Sequence, residues 1–443
     1  MTEGTALSNR TAIRTCPLCE AGCGLEITIR DQQVVRIRGD RDDVFSKGFI
    51  CPKGSTLKQL HDDPDRLRHP MVKRNGEHVP VSWDEAWAAV AEGLHGVIDR
   101  HGRQSLAVYL GNTTAHSLSA MMYNRVLLQS LGTGNRFTAS TVDQMPRQVA
   151  AGYVFGTPVS VPVPDLDRTD YLVIIGANPY ASNGSLCTAP GFPGRIEAIQ
   201  SRGGTVVVVD PRRSRTAEQA DRWLPIRPGA DALMLAAIVT TLHEAGRIDA
   251  GAHVGPLLAD LDVAVAACAP FTAESVAAAT GLDAADIRRL AIDLADAPTA
   301  TVYGRIGTTT TSFGTVTSWL IDLVNIVTGN LDRPGGAMFP SPVAGGATTR
   351  GAARKGTGFR IGSTTSRVRQ LPKVMGEYPV AALAEEITTP GDGQLRALVT
   401  VAGNPVLSTP NSNALDAALA ELEFMVSVDI YLNETTRHAD VIL

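Results

Sequence analysis

Apolar residues along this chain cluster in short unbroken runs rather than in alternation. The runs at 105–110 (SLAVYL), 170–176 (DYLVIIG), 205–210 (TVVVVD), 299–304 (TATVYG) and 395–402 (LRALVTVA) read as strands without a polar face. Helical stretches separate them near 116–131, 192–202, 230–246, 283–296 and 314–329. Strands with no wet side, divided by helices, predict parallel sheets covered on both faces. Upstream the period changes. Residues 25–30 (LEITIR) and 33–38 (QVVRIR) alternate about Asp31-Gln32 and predict a β-hairpin. Ser82 opens the capping-box pattern S-W-D-E, which starts a helix running to about Asp99. Residues 341–370, rich in Gly, Thr, Ser and Arg and lacking periodicity, predict a long surface loop or crossover.

Composition narrows this picture without redirecting it. A chain of 443 residues holds two or three domains' worth of core. Forty basic against 45 acidic residues, net −5, leave no basic footprint for nucleic acid and no polybasic membrane patch. No apolar run reaches membrane-spanning length, and Met1–Thr15 shows neither an apolar signal core nor a twin-arginine pair. Cytoplasmic residence is the expectation.

The cysteines carry the first chemistry. Four of the six are spaced Cys16-x2-Cys19-x3-Cys23, then Cys51 within Cys51-Pro-Lys-Gly54. Three thiols in one tight loop with a fourth returning from another suit an iron–sulfur cube. Structural zinc is the alternative, although a zinc ribbon pairs two Cys-x2-Cys knuckles and here the second arm has one cysteine. Cys187 and Cys268 stand alone and read as small buried hydrophobes.

The strand ends carry the second. Strand 170–176 runs into Gly176-Ala-Asn178-Pro179, and strand 395–402 into Gly403-Asn404-Pro405. Ligands sit at such carboxyl ends of open α/β sheets, although Asn-Pro is also common turn chemistry. Asp210-Pro-Arg212-Arg213 follows TVVVVD directly. An acidic residue there accepts hydrogen bonds from a ribose or a guanine edge, and arginines beyond it grip a pyrophosphate; the bland alternative is a solvated basic turn. Asp231, in Arg227-Pro-Gly-Ala-Asp231, either caps a helix or meets a ligand. No G-x-G-x-x-G or Walker loop is present.

Together these residues resemble the molybdopterin oxidoreductases of the dimethyl sulfoxide reductase type, which include formate dehydrogenases and nitrate reductases. Further matches in the family's order are Gly132-Thr-Gly-Asn135, Gly329-Asn-Leu-Asp-Arg-Pro-Gly-Gly336 and Glu434-Thr-Thr-Arg-His-Ala-Asp-Val-Ile-Leu443. The resemblance implies a small N-terminal iron–sulfur domain with a β-hairpin (1–67), followed by two Rossmann-like parallel-sheet α/β domains. One of these is discontinuous (68–135 with 341–443) and the other spans 136–340. It also implies a 4Fe–4S cluster and a molybdenum or tungsten ion held by two pterins, each bearing a guanine dinucleotide. By that resemblance Gly176, Asn178, Asp210, Arg212, Thr216 and Asp231 serve one nucleotide, Asn404 lies near the other, and Lys53 lies between the cluster and a pterin.

The metal's protein ligand falls, by the same resemblance, in Thr141-Val-Asp143-Gln144-Met-Pro146, which places Asp143 on the metal and Gln144 beside it. The alternative for Asp143 is that it caps the helix beginning near Met145. Formate dehydrogenase-like members use a cysteine or selenocysteine followed by histidine, and neither stands here. A carboxylate resembles the respiratory nitrate reductase branch, so oxygen-atom transfer ranks above formate oxidation. Arg147 either steers an oxyanion or lies at the surface. Electrons would pass to a redox partner protein or subunit. The family's C-terminal barrel does not follow Leu443 in this sequence. A fragment or truncated frame is the expectation, with a split gene or lost catalysis as alternatives. Two other readings remain: an electron-transfer subunit of the complex I type, and a zinc-stabilised nucleotide-binding protein.

Overall fold

The computed structural model describes residues 9–184, 187, 189–341 and 359–443. Most of the 341–370 stretch therefore lies outside the described residues; the part from 359 to 370 is irregular, as its composition predicts. The chain divides into two compact units, Met1–Val142 with Arg360–Leu443, and Asp143–Phe359.

In chain order the first unit begins with strands β1 (Asn9–Thr15), β2 (Gly24–Arg30) and β3 (Gln33–Gly39), which form an antiparallel sheet in the order β1-β2-β3. The predicted hairpin is thus extended by a strand that its polar sequence NRTAIRT did not announce. A second hairpin, β4 (Met71–Arg74) and β5 (Glu77–Pro80), precedes the helix Trp83–His101, whose Ser82 hydroxyl accepts from the Glu85 N–H as the capping pattern predicts. β6 (Leu106–Leu110) and β7 (Asn135–Thr138) follow.

The second unit holds β8 (Val163–Pro164), β9 (Tyr171–Ile175), β10 (Thr205–Val209), β11 (Arg222–Leu224), β12 (Ala300–Gly304) and β13 (Ala337–Met338). The chain then returns to the first unit with β14 (Ala397–Val401), β15 (Phe424–Val428) and β16 (Val441–Ile442). Two main sheets result: β11-β10-β9-β12, all parallel, and β5-β4-β16-β15-β14-β6-β7, parallel from β16 to β7 with the β4–β5 hairpin antiparallel at one edge.

Successive side chains of every central strand enter opposite cores, so both faces are dry. In the second unit Val173, Ile175, Val207 and Val209 enter one core with the helices Asp231–Glu244, Ala284–Asp296 and Gly314–Val327. Leu172, Ile174, Val206 and Val208 enter another with Phe192, Ile196 and Ile199 of the helix Phe192–Ser201. The first unit repeats the arrangement, with Tyr109, Leu398 and Met425 on one side and Val108, Val399 and Val426 on the other. This is why the sequence shows unbroken apolar runs. Among the described residues no single helix is long and apolar enough to cross a membrane.

The open edge of β12 is closed by side chains instead of another strand. Asn325, buried on the helix Gly314–Val327, accepts from the Val302 N–H at 2.9 Å and donates to its carbonyl at 3.0 Å. Asn330 accepts from the Ala300 N–H at 3.0 Å. Amide side chains are suited to this because each offers both a donor and an acceptor. Asn325→Leu leaves two buried backbone groups unpaired, and we expect it to lower stability by roughly 2–4 kcal/mol in a denaturant titration. A loss under about 0.5 kcal/mol would mean that water or a shifted helix replaces the amide.

Candidate functional site

The four cysteines are brought together by the small antiparallel sheet. Cys16 follows β1 and Cys23 precedes β2, so the β1–β2 ladder closes the loop between them, with the Cys16 N–H donating to the Cys23 carbonyl at 2.8 Å. Gly22, at φ +53°, makes the turn, and its N–H donates to the Cys19 carbonyl at 3.1 Å. Cys51 caps the short helix Pro52–Ser55, its Sγ accepting from the Gly54 N–H at 3.4 Å.

Burial pushes the Cys16, Cys19 and Cys23 thiols up, Cys23 to about 11, and each is raised further by the charge of its neighbours, Cys51 among them. Lys53 opposes this at Cys16 and Cys19. Thiols gathered in this way form a donor set that a cationic guest relieves, with release of protons on binding. Among the described residues no three His, Cys, Asp or Glu side chains converge closely enough to hold a single metal ion. Four cysteine thiols from two loops fit a thiolate-bound metal centre by their chemistry.

The second unit builds a polar site at the carboxyl ends of β9 and β10. After β9 the chain turns at Gly176, in the left-handed region at φ +57°, and reaches Asn178. Gly307, just past β12, lies against this turn, and a Cβ there would sit 2.8 Å from Gly176 backbone atoms. The Asn178 Oδ1 accepts from the Thr216 hydroxyl at 2.7 Å, and the Thr216 oxygen accepts from the Tyr180 N–H at 3.1 Å. Asp210 follows β10, where its carboxylate accepts from the Arg212 N–H at 2.8 Å. Burial raises its pKa, with Arg212 pulling the other way.

Asp231 lies in the first turn of the helix Asp231–Glu244 and is 5% exposed. The capping position is Ala230, so the expected choice between cap and ligand contact falls away from the cap. Burial, reinforced by the charge of Asp210, pushes Asp231 up to about 6. Two carboxylates raised by burial, one of them further by the other's charge, accept hydrogen bonds readily, which suits an N–H edge or ribose hydroxyls.

The first unit repeats the turn with different residues. After β14, Ala402 takes the left-handed conformation at φ +50° and Asn404 follows. The Asn404 Oδ1 accepts from the Thr435 hydroxyl at 2.6 Å, and the Thr435 oxygen accepts from the Val406 N–H at 3.1 Å. Gly111, past β6, takes the place that Gly307 holds in the other unit; a Cβ there would lie 1.8 Å from the Ala402 carbonyl oxygen. Thr435 was not among the residues singled out from sequence. Its signal was available, since Arg215-Thr216 and Glu434-Thr435 each follow the strand next to the Asn-Pro strand. The residue before the threonine differs in charge, and Glu434 accepts from the Asn404 amide at 2.8 Å.

Asp143 ends the short helix Ser140–Asp143, and Gln144 holds the capping position of Met145–Phe155 without a side-chain cap bond. The capping position is thus one residue after Asp143. Arg147 needs a correction. It neither lies at the surface nor presents its guanidinium to an oxyanion: it is 8% exposed and pairs with Asp322 through Nη1–Oδ2 at 2.5 Å and Nη2–Oδ1 at 2.7 Å. A guanidinium committed in this way joins the helix Met145–Phe155 to Gly314–Val327. Cys187 and Cys268 are buried among apolar side chains, as expected.

Residues 66–443 match the family model for molybdopterin oxidoreductase, and residues 14–63 match that for the molybdopterin oxidoreductase Fe4S4 domain. The chain is 30% identical over 472 residues to a nitrate reductase of Symbiobacterium thermophilum, covering 97% of this chain and 59% of that protein. It is 26% identical to the F420-dependent formate dehydrogenase 2 subunit alpha of Methanococcus maripaludis, covering 97% and 63%. It thus spans about three fifths of these relatives' length. The fold is similar to that of acetylene hydratase from Pelobacter acetylenicus, with a TM-score of 0.79 at 19% identity over 97% of this chain and 62% of that one.

Two outcomes follow from the geometry. Cys23→Ser should remove most of the broad absorbance near 400 nm from anaerobically purified protein, and a colourless parent protein containing zinc would overturn the cluster assignment. Asp231→Asn should stabilise the cofactor-free protein at pH 7 by about 2–3 kcal/mol. A carboxyl raised in the folded state favours folding only while protonated, so the variant's advantage should grow from pH 4 to 7. A pH-independent difference in melting would refute a raised Asp231.

Proposed function

The chain belongs to the molybdopterin oxidoreductase family, and on that footing we propose that it catalyses two-electron oxygen-atom transfer in the manner of a nitrate reductase. The observation that carries this reading is the Asp143-Gln144 pair at the junction before the helix Met145–Phe155. Neither position has the thiol, selenol or imidazole that formate oxidation uses in the family's formate dehydrogenase-like members. Nitrate reduction consumes two electrons and two protons and yields nitrite and water.

The Fe4S4 domain and the molybdopterin domain set the cofactors as a 4Fe–4S cluster and a pterin-bound molybdenum or tungsten ion. When bound, the metal supplies two-electron oxygen exchange and the cluster supplies single-electron relay. The chain's residues do the rest. Cys16, Cys19, Cys23 and Cys51 hold the cluster, and Lys53 places a positive charge beside it. Asp210 and Asp231 accept hydrogen bonds from a guanine or ribose edge, and Arg212 pairs with a pyrophosphate. Gly176 gives the backbone room for close approach, and Asn178 and Thr216 lock the turn that presents these groups. Asn404, braced by Thr435 and Glu434, takes the second nucleotide. Asp143 would hold the metal, with Gln144 beside it as a hydrogen-bond donor. A redox partner, protein or subunit, exchanges electrons with the cluster.

A cofactor-loaded preparation supplied with reduced viologen should turn over nitrate. Asp143→Ala should lower kcat by more than about a hundredfold while the cluster absorbance stays intact. Oxidation of formate without nitrate turnover, or full activity in the variant, would defeat the assignment.

A further inference from the structure

The β1-β2-β3 sheet has one face in the core and one in solvent, and the outer face is unusually rich in arginine. Residues paired directly across strands share a face. The register aligns Thr11, Thr28 and Arg36 in one row and Ile13, Glu26 and Arg38 in the next. The opposite face carries Leu25, Ile27 and Ile37 into the apolar cluster that contains Cys16 and Cys23. Arg38 bonds Glu26 at 2.6 Å, and Arg36 and Arg41 lie close enough to join it in pulling the Glu26 carboxyl down. Arg36, Arg38 and Arg41 thus lie near Glu26, with Asp40 the other acidic neighbour of Arg38. Ile13 stands among them 54% exposed.

This local excess of positive charge sits on a chain whose net charge is −5. Its position is also specific. β1 runs straight into Cys16 and β2 starts directly after Cys23, so the Ile13–Glu26–Arg38 row is only two residue pairs from the end of the sheet that holds two of the cluster thiols. At about 3.3 Å per residue that is roughly 7 Å along the strands. Arginine around an exposed aliphatic side chain is the composition of a protein interface, and a basic patch on an acidic molecule orients a charged partner before contact.

We propose that the outer face of this sheet is the docking surface for a one-electron carrier protein with an acidic surface. The reduced carrier binds with its carboxylates on Arg36, Arg38 and Arg41 and gives one electron to the oxidised cluster. The carrier is oxidised by one electron, the cluster is reduced by one, and no bond or proton changes hands. The proposal rests on the cluster reading and not on that of the molybdenum site.

The test follows the loss of cluster absorbance near 400 nm after stopped-flow mixing with a reduced plant-type ferredoxin, which is acidic, with sodium dithionite as the small-reductant control. The second-order rate constant with ferredoxin should fall about tenfold or more between 50 and 500 mM salt, and by a similar factor in Arg36→Glu/Arg41→Glu at low salt. The dithionite rate and the cluster spectrum should be the same in both proteins. Equal ferredoxin rates in parent and variant, or a rate indifferent to salt, would overturn the proposal. A parent dimer that dissociates in the variant would assign the face to a second copy instead. Protein without cluster absorbance would defeat the cluster reading and the docking surface with it.

Discussion

Both main sheets are dry on both faces, and this constraint decides where chemistry is placed. A strand whose every side chain points into a core has nowhere to carry a functional group except its ends. Asp210 and Asn178 stand immediately past the carboxyl ends of β10 and β9, and Asn404 stands past β14. The residues that a ligand would meet are therefore set by the backbone's exit from the sheet rather than by any face of it. The same constraint explains the buried amides of Asn325 and Asn330, because a parallel sheet that ends at β12 must satisfy its last backbone groups without water.

The two units reach the same turn by different routes in the chain. In the second, β9 and β10 come first and β12 later; in the first, β6 comes long before β14 and β15. Each nevertheless ends its central strand in a left-handed residue, then an asparagine whose Oδ1 receives a threonine hydroxyl from beyond the neighbouring strand. A glycine from the strand on the other side closes against the turn in both. One hydroxyl that donates to the asparagine and accepts from the backbone two residues on fixes the turn with a single side chain. The charge beside it is not repeated: Arg215 precedes Thr216, whereas Glu434 precedes Thr435. The two turns therefore share a scaffold and differ in electrostatics.

Burial of ionisable groups marks both the cysteine loops and the strand-end carboxylates. Burial raises the thiols of Cys16, Cys19 and Cys23, and Cys16 and Cys19 add to the effect at Cys23, as Asp210 does at Asp231. In each case burial has gathered groups that repel when ionised, and a guest that takes their charge or donates to their lone pairs relieves this. Arg147 shows the opposite case. Its buried charge is already matched by Asp322, and so it belongs to the framework that carries Asp143 rather than to the chemistry.

Local pattern determined much of this from sequence alone. Unbroken Val/Ile/Leu runs announce buried parallel strands, Ser82 announces its helix, and the spacing of four cysteines announces a cluster, because each depends on neighbours within a few residues. Short strands such as β11 and β16, and the polar β1, escape notice because their stability comes from partners distant in the chain. Thr435 and Asn404 lie 31 residues apart, and Arg147 and Asp322 lie 175 apart. No period links such pairs. Only the tertiary structure decided that Arg147 is buried and matched, that Asp231 faces Asp210, and that the arginines of β3 gather on the open side of the cluster sheet. A charge acts through space, and its partner is known only once the chain has folded.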